Sequence, residues 1–120
     1  MHKYRSLVAW QRAHDGLLLT FRKTDEAYHP RAKPLFDQLR RAIVSVEANI
    51  VEGYALGTSP LFRRHLRIAI GSAAEAECLT RAAGELQYLS TDVVRELERL
   101  LERTMAAVHG LMRTLPRTAG

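Results

Sequence analysis

Gln38, Arg41, Ser45, Asn49 and Glu52 recur at steps of three and four residues. A helix carrying them sets an amide, a guanidinium, a hydroxyl, a second amide and a carboxylate in one row. A solvated face usually holds lysine and glutamate in loose order, so this row is expected to meet partners on another helix. Glu75 and Glu77, further along, supply carboxylates that Arg41 is expected to reach, with Asn49 satisfying groups across the same interface. Two chemistries fit: a polar network that fixes helix register or subunit pairing, and a small polar pocket for a ligand or a reaction. The network is the plainer reading and the one expected here. Breaking a buried charge pair singly costs about 3–5 kcal/mol, so removing Arg41 tests structure before function.

Phosphate binding is the next chemistry the residues allow. Arg63 and Arg67 lie one turn apart with Arg64 beside them, and Arg40 joins from the preceding helix. Lys3, Arg5, Arg113 and Arg117 at the chain ends are candidates to add to this group. No aromatic side chain interleaves with these arginines, so stacking on single-stranded bases is not expected. The competing reading is a set of solvated or acid-paired charges.

Other chemistries lack their residues. Glu26-Ala27-Tyr28-His29 has the Glu-x-x-His spacing of bundle metal sites, but no second copy accompanies it, so no metal or cofactor is expected. Ser45 and Ser72 have no histidine nearby in sequence and no G-x-S-x-G turn, and read as packing residues. Neither a G-x-x-x-x-G-K-[ST] loop nor a G-x-G-x-x-G turn occurs. The single cysteine, Cys78, cannot form an internal disulfide and is expected to pack as a small apolar group. The chain therefore reads as non-enzymatic.

Four helices must position these residues. The first spans about 7–23, with Leu7, Trp10, His14, Leu17, Leu18 and Phe21 on one face and Ser6 as cap. The second spans about 34–56, from Pro34 to glycines at 53 and 57, and buries Leu35, Leu39, Ile43, Val46, Ile50 and Gly53. Ser59 as cap and Pro60 as first helical residue open a third over about 60–88, with Phe62, Leu66, Ala69, Ala73, Ala76 and Leu79 as core. Gly71 in its small-residue middle is expected to admit a neighbouring helix closely. The fourth, about 91–114, carries Val94, Leu97, Leu101, Thr104, Val108, Leu111 and Leu115 at heptad-like steps, widened by Val93, Leu100, Met105 and Met112. Short connections predict an up-down-up-down antiparallel four-helix bundle, a single domain over 1–120. Its apolar faces exceed what one copy needs, so self-association through the fourth helix and the second-helix stripe is expected.

Composition agrees with a small soluble domain: 47% hydrophobic, 26% charged, net charge +5. The basic excess is spread along the chain rather than held in a tail. No segment has the roughly 20 apolar residues of a membrane span, and the start of the chain lacks an uninterrupted apolar run, so a cytoplasmic location is expected.

The segment Gln38-Leu39-Arg40-Arg41-Ala42…Ser45…Ala48-Asn49-Ile50-Val51-Glu52-Gly53-Tyr54 resembles the signature of the four-helix-bundle proteins first noticed in intervening sequences of bacterial 23S ribosomal RNA genes. Leu7-Val8-Ala9-Trp10-Gln11 is similar to that family's N-terminal element, and Leu66-Arg67-Ile68-Ala69-Ile70-Gly71-Ser72-Ala73-Ala74-Glu75-Ala76-Glu77 to a third stretch, in family order. The resemblance implies a cytosolic bundle assembled into a ring, typically a homopentamer of positive character, with no established enzymatic activity. Distant relatives are accessory proteins of diversity-generating retroelements that bind nucleic acid and a reverse transcriptase. The functions implied are a homo-oligomer contacting RNA or DNA, or an adaptor docking a partner such as a reverse transcriptase. The chain departs from the family at Glu47, where proline is common, so a straighter second helix is expected. It departs again at Ala55-Leu56, where glycine and arginine are frequent, which removes one positive charge.

Overall fold

The structure, a computed structural model, describes residues 3–117. A 3-10 turn, Lys3–Ser6, leads into α1 (Val8–Glu26), α2 (Lys33–Leu56), α3 (Ser59–Glu85) and α4 (Thr91–Thr114). The described residues hold no strand, so the protein is all-α. Each helix packs on its neighbour in the chain, and α1 also packs on α4, closing the set of four.

Local chemistry explains most of the helix ends. Gly57, at φ 79°, takes the left-handed conformation that closes α2. At α4 the Ser90 hydroxyl accepts from the Val93 amide at 3.3 Å, satisfying an otherwise unpaired first-turn donor. The caps expected at the other two starts are displaced. Thr58, not Ser59, holds the extended cap position of α3, which moves Pro60 to the second residue of the helix. Leu7 precedes α1 without a side-chain cap, because the Ser6 hydroxyl donates to the Lys3 carbonyl at 2.7 Å inside the 3-10 turn.

Two helices have other lengths than their sequences predict. α1 continues past Lys23 to Glu26, since the fully buried Thr24 anchors another turn and the first proline stands at position 30. α3 stops at Glu85 instead of 88. Gln87 lies at φ 64°, while the Tyr88 amide donates to the Ala83 carbonyl at 2.8 Å and the Gln87 amide to Gly84 at 3.0 Å. These are the two bonds of a left-handed helix stop, here made without glycine. The reversal turns Leu89 into the core, where it is 4% exposed.

The main core joins Leu39, Ile43, Val46 and Ile50 of α2 to Leu66, Ala69, Ala73 and Ala76 of α3 and to Leu101 and Val108 of α4. A smaller cluster of Ala32, Phe36, Ala83, Leu89 and Leu97 fills the end that holds the α1–α2 and α3–α4 connections. α1 contributes differently from expectation. Its buried line is Ala9, Ala13, Gly16, Thr20 and Thr24, while Trp10, Leu17 and Phe21 are half-buried and flank it. Small residues let the α1 backbone sit close to the core, so the bulky ones spread to either side. Thr20 and Thr24 each donate to the carbonyl four residues earlier at 2.7 Å, as does Thr80, so their hydroxyls enter the core satisfied.

Close helix approach also falls elsewhere than expected. A Cβ at Gly71 would meet nothing within 4 Å, and Gly71 faces solvent. A Cβ at Gly53 would lie 2.8 Å from His65 Cβ and 2.9 Å from Phe62 Cδ1, and one at Gly84 would lie 2.8 Å from Val94 Cγ2. Gly53 and Gly84 are therefore the positions where α2 meets α3 and α3 meets α4 at short range. Cys78, expected to pack, is exposed on α3.

Candidate nucleic-acid interface

The polar row of α2 meets α3 along a seam of three hydrogen bonds between side chains. Gln38 donates to Glu75 at 2.6 Å, and its carbonyl oxygen accepts from Arg41 Nε and Nη2 at 3.1 and 3.0 Å. Arg41 thus reaches the helix-α3 carboxylate only through Gln38. Ser45 and Ser72 share a hydrogen bond at 2.8 Å. Asn49 donates to the Ser45 carbonyl at 2.8 Å and its oxygen pairs with His65 Nδ1 at 2.9 Å. Glu52 stands 3.8 Å from the same nitrogen. Glu77 joins none of these bonds. It lies about 200° around α3 from Glu75, because each residue advances about 100° along a helix. With both serines hydrogen-bonded to each other and Asn49 spanning two helices, the seam fixes the register of α2 against α3. The stripe expected to face another subunit is occupied within the chain.

The four arginines singled out for phosphate contact do not form one cluster. Arg40 lies across the α1–α2 boundary, donating to Thr24 Oγ1 at 2.9 Å and Asp25 Oδ1 at 2.7 Å, with its guanidinium 5.5 Å from the centre of the Phe21 ring. It is committed to holding α1 on α2. Arg63 turns to the end of α4, where it donates to the carbonyls of Met112, Leu115 and Pro116 at 3.3, 3.1 and 3.4 Å. Met112 lies in the last turn of α4 and Leu115 and Pro116 just beyond it, so Arg63 ties the start of α3 to the point where α4 ends. Arg64 and Arg67 are exposed and engage no carboxylate among the described residues, which leaves them available to a partner.

Where the helices meet matters more for charge than any local cluster. Trp10 and His14 of α1 touch Glu47 of α2, Asn49 of α2 touches His65 of α3, and Arg63 of α3 touches the end of α4. Leu7, Val8 and Ala9 share a groove with Gly110 and Leu111, and Tyr54 shares one with Phe62 and Leu115. One end of the molecule therefore collects the start of α1, the end of α2, the start of α3 and the end of α4. Residues 3–17, 45–70 and 103–117 make up this half, with nine arginines and lysines against three acids, Asp15, Glu47 and Glu52. Two of those acids face histidines. The opposite half holds the remaining nine cations and ten acids. The sequence shows an even spread of charge, and folding gathers the excess at one end.

One cluster went unread in the sequence. Glu47, 17% exposed, accepts from Trp10 Nε1 at 3.0 Å and pairs with His14 Nδ1 at 3.1 Å. The Trp10 and His14 rings stack at 4.8 Å, and Tyr4 meets Trp10 edge-on at 5.3 Å. The i, i+4 spacing of Trp10 and His14 was the available signal; the carboxylate that unites them lies on another helix. Glu26 and His29 spend their polar atoms locally, on Lys23 and on the Arg31 amide.

No protein among those of curated function matches the sequence. The family model described as 23S rRNA-intervening sequence protein matches residues 5–110, nearly the whole described fold. The chain belongs to the 23S rRNA-intervening sequence protein family.

Proposed function

We propose that this chain is a non-enzymatic, homo-oligomeric four-helix bundle, a pentameric ring by likeness to its family, that contacts RNA or DNA phosphates with its basic end. The observation that carries the reading is the concentration of cations around the start of α3 and the end of α4, with Arg64 and Arg67 exposed and unpaired. Repeating that end around a ring multiplies a modest local charge into a field able to attract a polyanion.

The helix contacts support an up-down-up-down antiparallel course. Partners descend along one helix as they ascend the next: Gln38 with Glu75 and Asn49 with His65, then Arg63 with Met112 and Gly84 with Val94. Exposed apolar residues support self-association, but not those expected. Val93, Met105 and Met112 of α4 pack against the chain's own core. The side chains left to water include Val44 and Leu56 of α2 and Leu61 and Ile68 of α3, between 39% and 49% exposed, besides Val8, Tyr28 and Leu86 nearer the helix ends. A groove of about 310 Å³ lined by Leu17, Val44, Ala48 and Val51, with Glu47 and Glu52, adjoins Val44. These are the surfaces a second copy would cover.

Light scattering combined with retention of a generic RNA and a duplex DNA on filters at two salt concentrations tests the reading. The expected result is a mass several times 13.6 kDa and retention that falls steeply with salt. A well-folded species at the monomer mass would assign the apolar residues to a different partner and remove the ring. Absence of retention even at low salt would remove the nucleic-acid contact.

A further inference from the structure

We infer that the cleft between the start of α3 and the end of α4 is a binding site for a phosphomonoester, held by Arg113, Arg117 and His109 against a guanidinium floor at Arg63. The cleft is an open depression of about 450 Å³ lined by Arg63, His109, Met112, Arg113, Leu115 and Arg117. Its volume falls within the roughly 300–1,000 Å³ of small-molecule sites. Its lining holds three arginines and a histidine and no carboxylate. Two other clefts carry acids, Glu85 and Glu98 in the one beside Arg81 at the far end and Glu47 and Glu52 in the α1–α2 groove, whereas the clefts that adjoin this one hold no charged side chain.

The requirements of the fold explain only part of this charge. A helix C-terminus favours one nearby cation, and Arg63 fills that role with bonds to three carbonyls. Those bonds use three of the five guanidinium donors and hold the group in place, leaving two donors for something else. Arg113 and Arg117 are exposed, and neither forms an ion pair among the described residues. Two unpaired guanidiniums and an imidazole converging on one concavity match a phosphate ester, which carries about −1.5 to −2 charge and three acceptor oxygens at neutral pH. Met112 and Leu115 give the cleft an apolar wall, against which the organic part of such an ester can lie. The ligand chemistry is shared by two sources, a free mononucleotide and the 5′-phosphorylated end of a strand. The cleft lies at the same basic end as the proposed polyanion contact and deepens that reading, but its lining residues are other than Arg64 and Arg67.

Calorimetric titration of the full chain with four probes tests the inference: adenosine 5′-monophosphate, adenosine, and one ten-nucleotide strand with and without its 5′-phosphate. Each phosphorylated probe that binds is expected to do so at least about tenfold more tightly than its dephosphorylated counterpart. The Arg113→Ala/Arg117→Ala variant is expected to lose about tenfold or more, the effect of removing charge-assisted bonds. Arg95→Ala/Arg99→Ala, at the other end of the molecule, leaves affinity unchanged. Circular dichroism establishes that each variant is folded. Tight binding of the mononucleotide assigns the site to small esters; binding of the phosphorylated strand alone assigns it to strand ends. Equal affinity with and without the phosphate, no binding of either phosphorylated probe, or an undiminished Arg113→Ala/Arg117→Ala variant would overturn the site. Loss of filter retention in an Arg64→Glu/Arg67→Glu chain that still prefers phosphorylated probes would separate this site from the proposed interface.

Discussion

Gly53, in the last turn of α2, and Gly71, in the middle of α3, are the same residue type within long helices, and their surroundings give them opposite roles. A methyl at Gly53 would press on His65 Cβ at 2.8 Å and on the Phe62 ring at 2.9 Å, both held by the α2–α3 contact. A methyl at Gly71 would enter open space. Helix propensity alone favours alanine over glycine by about 1 kcal/mol. Gly71→Ala is therefore expected to raise unfolding stability by about 0.5–1 kcal/mol in urea titration. Gly53→Ala is expected to lower it by about 1–3 kcal/mol, because overpacking outweighs the helical gain. Equal shifts for the two variants would show that the close α2–α3 approach is not rigid. Helical spacing places Gly53 on the inward face of α2, but neither the closeness of its contact nor the open space around Gly71 is written in the neighbouring sequence. Gly71 sits among small residues that look like a packing face, while Gly53 follows a glutamate near a helix end. What distinguishes them is the identity of the facing residue, which belongs to another helix.

At the scale of the helix, legibility follows whether large apolar residues mark the inward face, as Phe62 and Leu66 do for the buried alanines of α3. The buried line of α2 from Leu39 to Gly53 was readable because large apolar residues mark its inward face and an ordered polar row marks its α3 side. The buried line of α1 was not. Alanine, glycine and threonine occupy it, and the large residues that draw the eye stand beside it at the seams. Those flanking residues have work of their own. Trp10 and His14 reach over α2 to Glu47, the residue that stands where the family commonly has proline. A proline there would offer no carboxylate, so in this chain the α1–α2 boundary carries a polar clasp. Glu47→Ala leaves the half-buried indole N–H without its acceptor and is expected to cost about 1–2 kcal/mol. Trp10 is the chain's sole tryptophan, so its emission reports on the clasp directly. A shifted spectrum with lowered stability is the expected result. An unchanged spectrum would mean the indole is not bonded to Glu47 in solution.

Across the whole molecule, the charge distribution depends on chain direction rather than on any segment. Counted along the sequence, cations slightly exceed acids in every stretch; counted in space, all of the excess lies at one end. The first and second helices carry their acids in both halves, but α3 from Glu75 onward and α4 up to Glu102 place seven acids together at the far end. Polyanion attraction should therefore depend on position and not only on net charge. Two double reversals make the comparison, since each changes net charge by the same amount. Arg64→Glu/Arg67→Glu alters the basic end, and Arg95→Glu/Arg99→Glu alters the acidic one, with all four side chains exposed. The first is expected to abolish duplex retention at moderate salt and to flatten the salt dependence by a slope of about two, near 0.9 for each phosphate no longer neutralised. The second is expected to weaken retention only slightly, because Arg95 and Arg99 stand about 20 Å or more along α4 from Arg113, beyond a Debye length of about 8–10 Å. Equal losses from the two reversals would show that retention follows net charge alone, and the basic end would then have no privileged part in binding.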